Sequence, residues 1–137
     1  MLPLHVQPAD ELPIYRQIVR QVVDAIAGGR LRPGEKLPSH RELAEQVVVA
    51  PLTVKKAYDE LERGGYIATA RGRGTFVRPK PRAIGAEEKR ERLRLAARRL
   101  LTAAWLSGTP YDKVLELLDK EEARLEAERK QSASKEA

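Results

Sequence analysis

The chain has 137 residues, 34% of them charged, and a formal net charge of +6, which fits one domain plus an appendage and favours an acidic partner such as nucleic acid. It has no cysteine, so disulfides, thiolate zinc sites and thiol nucleophiles are out of reach and a reducing, cytoplasmic setting is expected. No stretch approaches the roughly eighteen apolar residues of a membrane span, and no basic-then-apolar signal opens the chain, so a soluble protein without a membrane partner is expected.

Residues 1–12, with Pro3 and Pro8 and little periodicity, read as a loose, irregular arm. From Pro13 on, Ile14, Tyr15, Ile18, Val19, Val22, Val23 and Ile26 form an apolar stripe on a helix of about four turns, which Gly28-Gly29 ends. A Pro33-Gly34 turn follows. Ser39 and Glu42 then have the spacing of a capping box, which opens a helix at residue 39 or 40. Leu43, Ala44 and Val47 recur at helical spacing, a turn falls near residues 48–50, and Pro51 stands where proline is tolerated, at the first position of a further helix. That helix buries Val54, Ala57, Tyr58 and Leu61 and presents Leu52, Lys55, Lys56 and Asp59. Two short helices across a tight turn, the second with a cationic face, predict a helix-turn-helix.

Arg63-Gly64-Gly65 closes the third helix. Strands are expected over 66–69 and 75–77, joined through Ala70-Arg71-Gly72-Arg73-Gly74, a tight hairpin with a cationic, unhindered tip. Strand, basic tip and strand make a wing, whose arginines suit a narrow minor groove or phosphates. The cation excess sits here: residues 1–82 hold 14 Lys+Arg against 9 Asp+Glu, which is +5 of the +6.

Pro79, Pro81 and Gly85 mark residues 79–86 as a linker after a winged helix-turn-helix domain at 1–78. A helical hairpin is expected over 87–130 and a disordered tail at 131–137. Its first helix starts at Glu87-Glu88, carries Leu93, Ala96, Ala97, Leu100, Leu101 and Ala104, and stops at Ser107-Gly108. Its second has Thr109 as cap, Pro110 at the first helical position and Asp112 in the first turn. Two such helices cannot cover their own apolar faces, so pairing with a second copy is expected. Leu93, Ala97, Leu100, Leu101, Ala104, Trp105, Tyr111, Val114, Leu115 and Leu118 are the expected contact residues. Packing of the pair onto its own head is the competing arrangement.

Leu37-Pro38-Ser39-x-Arg41-x-Leu43-Ala44, Thr53-Val54-x-x-Ala57-Tyr58-x-x-Leu61 and Gly72-x-Gly74-Thr75-Phe76-Val77 together resemble the head of GntR-type bacterial transcription regulators, over about residues 12–78. The resemblance implies a mainly α fold with a small β-hairpin wing, a homodimer bound to double-stranded DNA at a palindromic operator, and a repressor's role. Carried over residue by residue, it implies DNA contacts at Ser39, Arg41, Leu52, Thr53, Lys55, Lys56, Arg71, Gly72, Arg73, Gly74 and Thr75. The chain departs from the family pattern at the turn, with Val48 for the usual glycine, Ala50 for a polar residue, and Leu52 where Asn, Arg or Thr is usual. Val48 is expected to strain the turn, and Leu52 is suited to touch a thymine methyl. Pro51 and the short two-helix tail match a YtrA-like branch, which implies control of neighbouring transporter genes. The effector is not implied by any residue.

Catalysis has no support. His5 and His40 are the two histidines, no nucleophile–base set, metal-binding pair or phosphate loop appears, and neither cofactor nor metal is expected. The remaining alternative is a winged helix that binds protein and has lost specific DNA binding.

Overall fold

The computed structural model describes residues 3–80 and 84–134. Its elements are α1 (Ile14–Ala27), β1 (Lys36–Leu37), α2 (His40–Val47), α3 (Pro51–Arg63), β2 (Ile67–Ala70), β3 (Gly74–Val77), α4 (Ala86–Leu106) and α5 (Tyr111–Ser134). They fall into two compact units, Met1–Arg82 with Glu128–Ala137, and Ala83–Ala127.

In the first unit the α1 stripe delivers Ile18, Val22 and Ala25 to a core completed by Leu31, Leu37, Leu43, Ala44, Val54, Ala57, Tyr58, Leu61, Ile67 and Val77. Full burial of an aliphatic side chain such as Ile18, Leu61 or Ile67 stabilises by about 1.5–3 kcal/mol relative to exposure. The expected hairpin forms, with Ile67 opposite Val77 and Ala70 opposite Gly74. It gains a third strand that the turn signals around Pro33-Gly34 hid. β1 pairs antiparallel with β3, Lys36 opposite Phe76 and Leu37 opposite Thr75, giving the sheet order β1-β3-β2.

The N-terminal arm is irregular, as expected, but it is not loose. Gln21 accepts from the His5 N–H at 3.0 Å and donates to the His5 carbonyl at 2.7 Å. Gln17, itself buried, does the same for Gln7 at 2.9 and 3.0 Å, and also donates to the Leu12 carbonyl at 2.8 Å. Four helical residues rise about 6 Å and two extended residues span about 6.6 Å, so amides one turn apart on α1 match alternate residues of the arm. Leu4 and Val6 pack against the core.

The expected disorder from 131 on is not seen as far as Ser134, because α5 continues to that residue; residues 135–137 lie outside the described set. Residues 128–134 belong to the first unit. Arg129 Nε donates to the Ala27 carbonyl at the end of α1 at 2.9 Å, and Arg32 donates to the Ser132 carbonyl at 3.0 Å. A Cβ on Gly28 would meet the Glu128 carboxylate, the free end of a flexible side chain that can swing aside.

Among the described residues of the second unit burial is confined to the turn. Ala104 and Val114 are buried there, whereas Leu93, Leu101, Trp105, Leu106, Tyr111, Leu115, Leu117 and Leu118 are exposed. Ala104 and Val114 are therefore removed from the expected contact face, since the chain's own turn covers them. Thr109 does not cap α5 either: its hydroxyl pairs with Ser107 Oγ at 2.8 Å, and the Pro110 carbonyl receives the Lys113 and Val114 N–H groups. No helix among the described residues is long and apolar enough to cross a membrane.

Candidate nucleic-acid interface

The capping serine is in place, with Ser39 Oγ accepting from the Glu42 N–H at 3.1 Å. That bond starts α2 one residue before Arg41, which is exposed in the first turn. At the other end the chain must turn sharply, and Val48 takes φ 55° and ψ 54°, the left-handed region. This lets the Val49 N–H return to the Ala44 carbonyl at 3.0 Å and close the helix. The strain expected at Val48 is thus present in the backbone, and the side chain is 89% exposed, with little packing to offset it.

α3 opens on Ala50, which supplies no side-chain cap, and Pro51, whose missing N–H costs nothing at a helix start. Its inner face is Val54, Ala57, Tyr58 and Leu61, as expected. On the outer side Lys55 pairs with Asp59 at 3.1 Å, and the Lys56 ammonium lies 4.1 Å from the centre of the Tyr15 ring of α1. Thr53 is half-buried and Leu52 is 80% exposed.

The hairpin turn is closed by the Arg73 N–H donating to the Ala70 carbonyl at 2.9 Å, with Gly72 at φ 77° in the place that a type II turn reserves for glycine. Arg71 and Arg73 are exposed beside it. Among the described residues the side chains of Arg41, Arg71 and Arg73 make no hydrogen bond or ion pair. Thr75 is different: its side chain is buried, with Oγ1 3.5 Å from Thr69 Oγ1. It builds the wing and does not face outward.

Two residues tie these parts together. Leu37 pairs with Thr75 of β3, and the carbonyl of Pro38 accepts the Tyr58 hydroxyl at 2.7 Å. The start of α2 is thereby fastened to the wing on one side and to the middle of α3 on the other. Burial, and secondarily the Glu42 carboxylate, push the Tyr58 phenol up to about 12, so it is a neutral donor at any ordinary pH.

Sequence reasoning missed two contributors. Lys36 runs over the wing base, its ε-carbon so close to Gly74 that a Cβ there would come within 2.8 Å. Tyr15, read as scaffold, gathers Lys56 and, at 5.7 Å, Arg16. A lysine three residues before the capping serine is visible in the sequence; its partner across the sheet is not. Among the described residues no group of His, Asp and Glu is arranged to hold a metal ion.

The family model for bacterial regulatory proteins of the gntR family matches residues 14–77. The HTH-type transcriptional repressor YtrA of Bacillus subtilis (strain 168) is 35% identical over 113 residues, 82% of this chain and 87% of that protein. Among solved structures, a transcriptional antiterminator from Listeria monocytogenes EGD-e superposes with a TM-score of 0.77 at 31% identity, covering 90% of this chain and 92% of its own. YtrA from Sulfolobus acidocaldarius, a GntR-family transcription factor, does so with a TM-score of 0.58 at 37% identity, covering 72% and 97%. On its winged helix-turn-helix and on these likenesses, the chain belongs to the GntR family and is a DNA-binding transcription regulator.

Proposed function

We propose that the protein is a homodimeric repressor that binds a palindromic operator, with neighbouring transporter genes as its targets. In this reading each α3 enters a major groove through Leu52, Thr53 and Lys55, Arg41 and Ser39 hold the adjoining backbone, and the Arg71–Arg73 tip lies along the neighbouring minor groove. The supporting observation is the set of exposed arginines with no partner among the described residues, Arg41, Arg71 and Arg73, on segments fastened together through Leu37-Pro38. An arginine held open in the free protein has its hydrogen-bonding fork available for phosphate or guanine. The repressor role follows the Bacillus relative, and the exposed apolar faces of α4 and α5 suit a second copy.

Selection of tight-binding fragments from a random-sequence DNA pool supplies the probe. Arg41→Ala and Arg73→Ala should each weaken binding about 5- to 100-fold and lower the slope of log affinity against log salt by about one, at an unchanged melting temperature. Unchanged affinity, or a large loss of thermal stability, would overturn these assignments. A protein-interaction module would give no saturable DNA complex at any salt concentration.

A further inference from the structure

On the outward side of α3 the charged residues already have partners: Lys55 is paired with Asp59, and Lys56 lies over Tyr15. Thr53 is half-buried, and Ala50 and Pro51 offer no side-chain donor. The side chain left unpartnered at the tip of the helix is Leu52, 80% exposed, and four residues earlier the turn exposes Val48 to 89%. Ala44, Val48, Val49 and Pro51, with Glu45 at its edge, line a shallow open dent, so the elbow between α2 and α3 is apolar apart from that one carboxylate. In water this arrangement gains nothing, and Val48 additionally holds a left-handed backbone.

We propose that this elbow reads thymine: Leu52, with Val48 beside it, contacts the 5-methyl groups of thymine in the major groove. The inference rests on the DNA-binding reading above and names what the recognition helix selects. The argument is chemical. Among the base edges of the major groove, the thymine methyl is the apolar feature, and every other mark is a hydrogen-bond donor or acceptor. An aliphatic tip without donors distinguishes the methyl and nothing else. Occupancy by DNA follows from continuity, because Arg41 lies on the helix that leads into the elbow and Lys55 and Lys56 on the helix that leaves it.

The test uses the full chain and duplexes selected from a random pool, resynthesised with deoxyuridine replacing one thymidine at a time. Deoxyuridine keeps every hydrogen bond and removes only the methyl. At one or two thymidines in each half-site this should weaken binding about four-fold, the equivalent of one buried methyl group. In Leu52→Ala the difference between thymidine and deoxyuridine should fall to about one, with an unchanged melting temperature because the side chain is exposed. Arg73→Ala should bind more weakly yet keep the four-fold difference. Equal binding of all deoxyuridine duplexes, or full discrimination by Leu52→Ala, overturns the proposal while leaving DNA binding intact. Failure to select any duplex overturns the DNA reading and this inference with it.

Discussion

Among the described residues four helices end by folding an N–H back over a left-handed residue, and they do not all use glycine. After α1 it is Gly29 at φ 76°, after α3 Gly65 at φ 83° and after α4 Gly108 at φ 70°, whereas after α2 it is Val48 at φ 55°. For an L-residue the left-handed conformation costs about 1–2 kcal/mol, and glycine would lose about 0.5–1 kcal/mol more conformational entropy on folding. Val48→Gly is therefore expected to stabilise the protein by about 0.5–1 kcal/mol and raise the thermal midpoint by about 2–4 °C; a lower midpoint would contradict the left-handed assignment. Tyr58 gives a pH prediction. Its phenol is raised from 10.0 to about 12 by burial first and Glu42 second, so the fold favours the neutral form. The associated stability is intact below pH 10 and is lost as pH rises from 10 through about 12, at up to about 1.4 kcal/mol per pH unit. Tyr58→Phe should cost about 1–2 kcal/mol at pH 7, since the Pro38 carbonyl loses its donor. Urea unfolding at pH 8, 10 and 11.5 should then show the gap to the parent protein closing with pH; a constant gap would assign the alkaline loss elsewhere.

At the scale of elements, those with strong internal signals were legible. α1, α2, α3 and the β2–β3 hairpin follow from apolar period, the Ser39 cap, Pro51 and the glycines of the wing, because each signal acts within a few residues. β1 was not legible. Two residues carry no period, and what makes Lys36–Leu37 a strand is its partner in β3, about forty positions further on. The order of the arm is illegible for the same reason, since it comes from Gln17 and Gln21, which in sequence look like ordinary polar positions of α1. Gln17→Leu should release it, with a stability loss of about 1–2 kcal/mol and hydrogen exchange at the Gln7 amide at least about 10-fold faster. Unchanged exchange would mean that the Gln21–His5 pair and the packing of Leu4 and Val6 hold the arm without Gln17.

For the whole molecule the question is what covers α4 and α5. Among the described residues of these helices burial is confined to Ala104 and Val114, at the turn, and the remaining apolar side chains are exposed or half-buried, the kind of surface that marks an interaction site. Removing everything after Arg82 would not isolate this effect, because residues 128–134 pack at the end of α1. Leu101→Glu with Trp105→Glu is the cleaner change: both side chains are exposed, so folding should be unaffected and light scattering should report a monomer. A dimer that survives the double substitution would place the contact elsewhere.

The sequence by itself determined the winged helix-turn-helix, its family and the places where that family's pattern is broken, since caps, turn residues and apolar periods are local instructions. Only the tertiary structure decided which candidate residues are free to act. Thr75, Ala104 and Val114 are spent on packing, Lys56 lies against Tyr15, and Lys36 joins the wing. The physical reason is that exposure and pairing belong to neighbours brought in from distant parts of the chain, and no residue's own type or spacing encodes them.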